Sequence, residues 1–210
     1  MKILSVTPLA IPDLLVIRAA RFRDGRGYFT EHFRASDMDA LAPRLGVKEF
    51  RVLQANESRS AGGVVRGLHF QWSPYMGKLV RPLSGRLVDM ALDIRVGSPT
   101  LGRIVLYDMP FDAGSDWFEW IWLPPGFAHG TLFPEESSIE YLCTGDWSPA
   151  SEAGISPLAP DLDWSLCAPS MRAVFGDVLS RGACLSEKDR HGHTLASWLA
   201  REESAFFRVA

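Results

Sequence analysis

Between Arg86 and Trp147 the chain is cut into short pieces. "RLVDMALDIRV", "TLGRIVLYDM", "FEWIWLPPGFAHG" and "SSIEYLCTGDW" follow one another, each rich in β-branched or aromatic residues, with "VGSPT", "PFDAGSD" and "FPEESS" between them. Clusters of Gly, Pro, Ser and Asp supply the turn conformations that end strands. In "RLVDMALDIRV" the residues Val88, Met90, Leu92 and Ile94 share one face while Asp89, Asp93 and Arg95 share the other, the period of two of a strand. Strands at this spacing predict an all-β fold, an antiparallel sandwich or barrel.

Helices are expected only at the margins. "RASDMDALAPRLG" fits a helix capped at Ser36 and shortened by Pro43. "HTLASWLAREES" places Leu195, Trp198 and Leu199 on one helical face, so the stretch from about 186 to 210 reads as a helical margin. With 210 residues and neither an internal repeat nor a low-complexity linker, one domain over 1–210 is expected.

A net charge of −3 without a polybasic run points away from nucleic acid and from anionic membranes. No segment approaches the ~18 uninterrupted apolar residues of a spanning helix, and "MKILSVTPLAIPDLL" reads as a strand and a turn, not a signal peptide. Three cysteines, Cys143, Cys167 and Cys184, form no CxxC pair and fit reduced thiols. A cytoplasmic location is expected.

Two of the five histidines lie in strand-like apolar sequence, His69 in "GGVVRGLHFQ" and His129 in "PPGFAHG". Each could be a buried histidine hydrogen-bonded for structure, or a titratable base facing a cavity. Strict alternation puts Arg66 with Leu68 and Gly67 with His69, unless a bulge at Gly67 changes the phase. His32, His191 and His193 read as solvated. A metal-binding jelly roll would offer clustered ligands, yet Gln71 stands two positions after His69, and "HGH" at His191 and His193 lies in a polar segment. No metal is expected. Lys78 reads locally as a charge at a strand end, and Asp189 as a helix-start or loop carboxylate. Alternation turns Tyr141 with Ile139 and Cys143 toward the apolar side. None of these residues alone exceeds its structural explanation.

Their order along the chain carries more. "RDGRGYFTEHF", "FRVLQANESRS", "GVVRGLHFQ", "GKLVRPLSGRLVDMALDIRVGSPTLGR", "IWLPPGFAHGT", "YLCTGDWSP", "GISPLAPDLDW" and "LSEKD" occur in this order, within a similar stretch of roughly residues 3 to 197. The series resembles the dTDP-4-dehydrorhamnose 3,5-epimerases. That resemblance implies a cupin-type jelly roll with a few short peripheral helices, a homodimer with a shared active site, and no metal or other cofactor. It implies a dTDP-linked 4-keto-6-deoxyhexose as substrate, dTDP-4-dehydro-6-deoxy-D-glucose, converted to dTDP-4-dehydro-L-rhamnose.

By the same resemblance His69 is the base, Asp189 its dyad partner, Lys78 the cation at the enolate oxygen and Tyr141 the proton donor. Arg66 and His129 match positions lining the substrate pocket. Gln54 and Asn56 match a nucleotide-contacting block, as do Arg26, Phe29 and Glu31. One departure stands out: where the family commonly carries a second aromatic hydroxyl six residues after the tyrosine, this chain has Trp147, which can stack on a base or shape the pocket but cannot act as a phenolic acid. An epimerase acting on one carbon only, a non-catalytic binding protein and a metal-dependent jelly-roll enzyme are the alternatives.

Overall fold

A computed structural model describes residues 1–209; Ala210, the last position of the expected helical margin, lies outside the described residues. Strand-forming sequence and turn clusters resolve into two main antiparallel sheets. The larger has the order β1 (Ile3–Pro8), β2 (Leu15–Ala20), β10 (Trp117–Leu123), β7 (Lys78–Ser84), β12 (Ser137–Cys143), β5 (Gln54–Ser60). The other runs β13 (Glu152–Gly154), β6 (Val65–Gln71), β11 (Phe127–Leu132), β8 (Arg86–Asp93), β9 (Ile104–Pro110). A separate hairpin pairs β3 (Phe22–Asp24) with β4 (Gly27–Phe29). Sequence neighbours such as β6 and β7 sit in different sheets, so the chain rolls from one layer to the other. This is the expected jelly roll.

The core lies between the sheets and also outside each of them. Val80, Ile121 and Ile139 of the larger sheet meet Leu87, Ala91, Val105, Met109 and Phe127 of the smaller one in the interior. Val88, Met90 and Leu92 point the opposite way and are packed under Phe175, Val178, Leu195 and Trp198. Trp120 and Trp122 face outward from the larger sheet onto Met38, Leu45 and Phe50. Asp89 and Asp93 do share the face opposite Met90, but that face is the interior: the two carboxylates are 1% and 0% exposed. A sheet covered on both sides has no solvent face, so polar residues in its central strand must find partners inside.

Helices are peripheral, with two differences from the sequence expectation. Helix α1 (Ala35–Leu41) begins after Arg34, and no side chain caps it, so Ser36 lies inside the first turn. Met38, fully buried beneath the larger sheet, holds the helix in place of a cap. The helical region also starts earlier than residue 186, with α2 (Pro169–Ser180), before α3 (Glu187–Arg190) and α4 (Leu195–Leu199). Cys143 and Cys167 are buried free thiols and Cys184 an exposed one. Among the described residues no helix is long and apolar enough to cross a membrane.

Candidate active site

Opposite β11, strand β6 carries an extra residue. His69 pairs with His129 and Arg66 with Thr131, so Gly67 and Leu68 together face the single Gly130. This bulge shifts the phase of alternation. Leu68 turns out into the apolar layer, while Arg66 and His69, three residues apart, face the same interior space. Past the bulge Gln71 also points inward.

The larger sheet supplies the opposite wall. On β12, Tyr141 and Cys143 alternate inward with Ile139, and on β7 Lys78 does so with Val80. The result is a cavity of roughly 310 Å³ lined by His69, Gln71, Lys78, His129, Tyr141 and Trp147, with Gln54 and Asn56 of β5 at its side. A smaller space of roughly 120 Å³, also bounded by His69, Lys78, His129 and Tyr141, extends it toward Arg66.

Two histidine–aspartate pairs stand in this space. His69 Nε2 lies 2.6 Å from Asp189 Oδ1; the histidine is 29% exposed and the carboxylate 6%. Asp189 sits in α3, where Ser186 caps the helix by accepting from the Asp189 N–H. Burial would raise the Asp189 carboxyl, but hydrogen bonding and charge from His69, with Ser186 and the Gly67 backbone, hold it below the ordinary aspartate range. His129 Nε2 lies 2.7 Å from Asp89 Oδ2. Burial pushes the Asp89 carboxyl up and the His129 imidazole down, so both are drawn toward their neutral forms against their mutual attraction.

Burial likewise lowers the Lys78 ammonium, against the attraction of Cys143, Glu152 and Asp89. It raises the Tyr141 phenol, with Cys143 adding to the effect and Arg66 opposing it. A phenol held protonated can donate, and an ammonium with a weakened grip on its proton is a strong hydrogen-bond donor. Arg66 Nε donates to Ser60 Oγ at 3.1 Å, which fixes the guanidinium at the edge of the smaller space.

The structure therefore brings together His69, Asp189, Lys78, Tyr141, Arg66, His129, Gln54, Asn56 and Trp147. Arg26, Phe29 and Glu31 lie elsewhere. Arg26 is bound to Asp24 on the exposed hairpin, Phe29 is 66% exposed, and Glu31 binds Arg34 and the N-terminal amine. His191 pairs with Glu187 at 3.2 Å and His193 contacts Ser197, while His32 is half-buried beside Glu140, less solvated than its sequence suggests. Among the described residues no group of three or more His, Cys, Asp and Glu could hold a metal ion. Sequence reasoning missed Asp89. A carboxylate in the middle of a largely apolar strand, on the face it shares with Asp93, was its only signal.

The sequence profile of the family described as dTDP-4-dehydrorhamnose 3,5-epimerase matches residues 8–197. The dTDP-4-dehydrorhamnose 3,5-epimerase of Pseudomonas aeruginosa is 35% identical over 196 residues, covering 92% of this chain and 97% of the relative. A dTDP-4-dehydrorhamnose 3-epimerase of Streptomyces niveus is 34% identical over 179 residues, covering 82% and 81%. Among solved structures, the Legionella pneumophila dTDP-6-deoxy-D-glucose-3,5-epimerase in complex with dTDP-4-keto-L-rhamnose superposes with a TM-score of 0.77 at 35% identity, covering 95% of this chain and 96% of that one.

Proposed function

The chain belongs to the dTDP-4-dehydrorhamnose 3,5-epimerase family, and from that premise we propose that it inverts C3 and C5 of dTDP-4-dehydro-6-deoxy-D-glucose with His69 as the base. The carrying observation is His69 on one sheet, backed by Asp189 of α3, facing a cavity that Tyr141 lines from the other sheet. The C4 ketone acidifies the protons on C3 and C5, because the carbanion delocalises into an enolate. His69 takes such a proton, and Asp189 orients the imidazole and stabilises the imidazolium. Lys78 hydrogen-bonds the oxygen that gains charge. Tyr141 returns a proton from the opposite wall, which inverts the carbon. Arg66 suits the diphosphate through its planar fork, and Gln54 and Asn56 the nucleotide end.

Arg26, Phe29 and Glu31 complete that nucleotide site from a second copy of the chain, in a homodimer working in the cytoplasm. The exposed Phe22, Tyr28 and Phe29 of the hairpin favour such a partner. Turnover in deuterated water tests the reaction: the product is expected to carry deuterium at both C3 and C5. A second reading, inversion at one carbon, is favoured by Trp147 standing where a phenol is common, and it predicts deuterium at one position only. No exchange at either carbon would remove both readings.

Lys78 gives a separate prediction. Lys78→Met is expected to lower kcat by about 10²–10³-fold, the range for losing a donor aimed at a developing oxyanion. Only the ammonium form serves, and burial lowers its pKa. The wild-type rate should therefore fall with rising pH before the ordinary lysine value of about 10.4 is reached, and the variant should lack that fall. Steady-state rates across alkaline pH check both.

A further inference from the structure

The segment Gly145–Ser148 crosses the mouth of the cavity without joining either sheet. It carries Trp147, which lines the cavity yet is 58% exposed. An irregular loop with an exposed indole would ordinarily be loose. Here its backbone is gripped by side chains. Gln71 Nε2 donates to the carbonyl of Asp146 at 2.9 Å and to that of Pro74 at 2.8 Å, and Gln71 Oε1 accepts from the Ser148 N–H at 2.7 Å. Between those two anchors the Trp147 N–H donates to Gln54 Oε1 at 2.9 Å, and Gln54 is itself held by Asn56 at 3.0 Å. Gly145 lies so close to the next loop that a Cβ there would stand 2.7 Å from the Tyr75 carbonyl oxygen.

Gln71 is 4% exposed, and every donor it has is taken by backbone. It stands two residues after His69 on the same inward face, and it comes from the opposite sheet to Gln54. We infer that Gln71 is a positioning residue: with Gln54 it pins the Gly145–Ser148 bridge between the two sheets and so sets where the Trp147 indole stands over the substrate. Gln71 itself touches no reacting atom. This rests on the epimerase reading for what Trp147 selects, but not for the clamp.

The two parts are tested separately. Gln71→Ala removes all three bonds, while Gln71→Glu keeps the size and the acceptor for Ser148 and loses both donors. In Gln71→Ala hydrogen exchange of the Trp147 and Ser148 amides is expected to accelerate at least tenfold relative to β12 amides, and in Gln71→Glu, where the Ser148 acceptor remains and only the Asp146 carbonyl is released, by less. Gln71→Ala, which takes two hydrogen bonds from the Gly145–Ser148 segment, should raise KM for the dTDP-linked keto sugar about tenfold, and Gln71→Glu, which takes one, by less. Both should leave kcat within about threefold and change the ratio of deuterium entering C3 and C5. In a Trp147→Ala background, Gln71→Ala should alter KM less than twofold, because the group it positions is gone. Unchanged amide exchange in a folded variant overturns the clamp. A fall in kcat without a rise in KM, or a full effect in the Trp147→Ala background, overturns the role assigned through Trp147. Absence of turnover in the wild type would strike the epimerase reading, and the amide exchange would still decide the clamp.

Discussion

Replacing His69 with alanine is expected to suppress proton exchange at C3 and C5 together, by about 10²–10⁴-fold, the usual contribution of a positioned general base. Both carbons should be affected because His69 is the more exposed of the two imidazoles lining the cavity, with a carboxylate directly behind it at 2.6 Å. His129, though nearby, is committed to Asp89 at 2.7 Å and only 8% exposed. Asp189→Asn separates orientation from presence: the imidazole stays, while the charge that stabilises it disappears. Its rate should fall between wild type and His69→Ala. Asp189 has a folded pKa below its unfolded value, so its contribution is complete above the ordinary aspartate value of ~3.9 and is lost as pH falls through the folded pKa. The destabilisation caused by Asp189→Asn should therefore be largest at neutral pH and shrink in acid, read from urea midpoints. Wild-type turnover in His69→Ala would end the assignment.

Local sequence could not have paired these two residues, since His69 and Asp189 are 120 positions apart. "RGLHFQ" describes a strand and "LSEKD" a helix start, and each forms as its own composition dictates. What joins them is α3 packing beside the end of β6, a tertiary event with no periodic signature. Only the ordered series of eight blocks made the combination legible, and it did so through resemblance. Period two served better for faces than for environments. Alternation put Tyr141 with Ile139 and Cys143, as the structure does, and separated Asp89 from Met90, as the structure also does. It could not say that the face carrying Asp89 is interior, because outer layers are contributed by α2 and α4, far along the chain. Helix α2 escaped notice for a physical reason: Gly176 and the β-branched Val174 and Val178 dilute the helical signal, and no side chain caps its start. It is held by Phe175 and Val178 against the sheet, which is tertiary stabilisation of a weak helix former.

Gly67→Ala is expected to be severely damaging for the addition of one methyl group. Gly67 has φ of +110°, a conformation side chains resist, and a Cβ there would stand 2.6 Å from the Gly130 Cα and 2.7 Å from the His129 carbonyl oxygen. Both neighbours are backbone, so no rotamer change relieves the contact. Backbone strain of ~1–3 kcal/mol and overpacking of similar size combine to about 2–6 kcal/mol, a large part of the roughly 5–15 kcal/mol that stabilises a domain. Gly176→Ala is the control: a Cβ there meets nothing within 4 Å, and alanine in a helix interior should stabilise by about 0.5–1 kcal/mol. Urea denaturation distinguishes the two. The functional loss should exceed the loss of folded protein, because the bulge is what brings Arg66 and His69 to one face. Relief of the clash by sliding β6 one residue along β11 would send His69 into the apolar layer that Leu68 now fills. Activity per folded molecule should then fall toward that of His69→Ala. A Gly67→Ala protein with the wild-type midpoint and the wild-type exchange rate would show that the bulge does not set the geometry of the site.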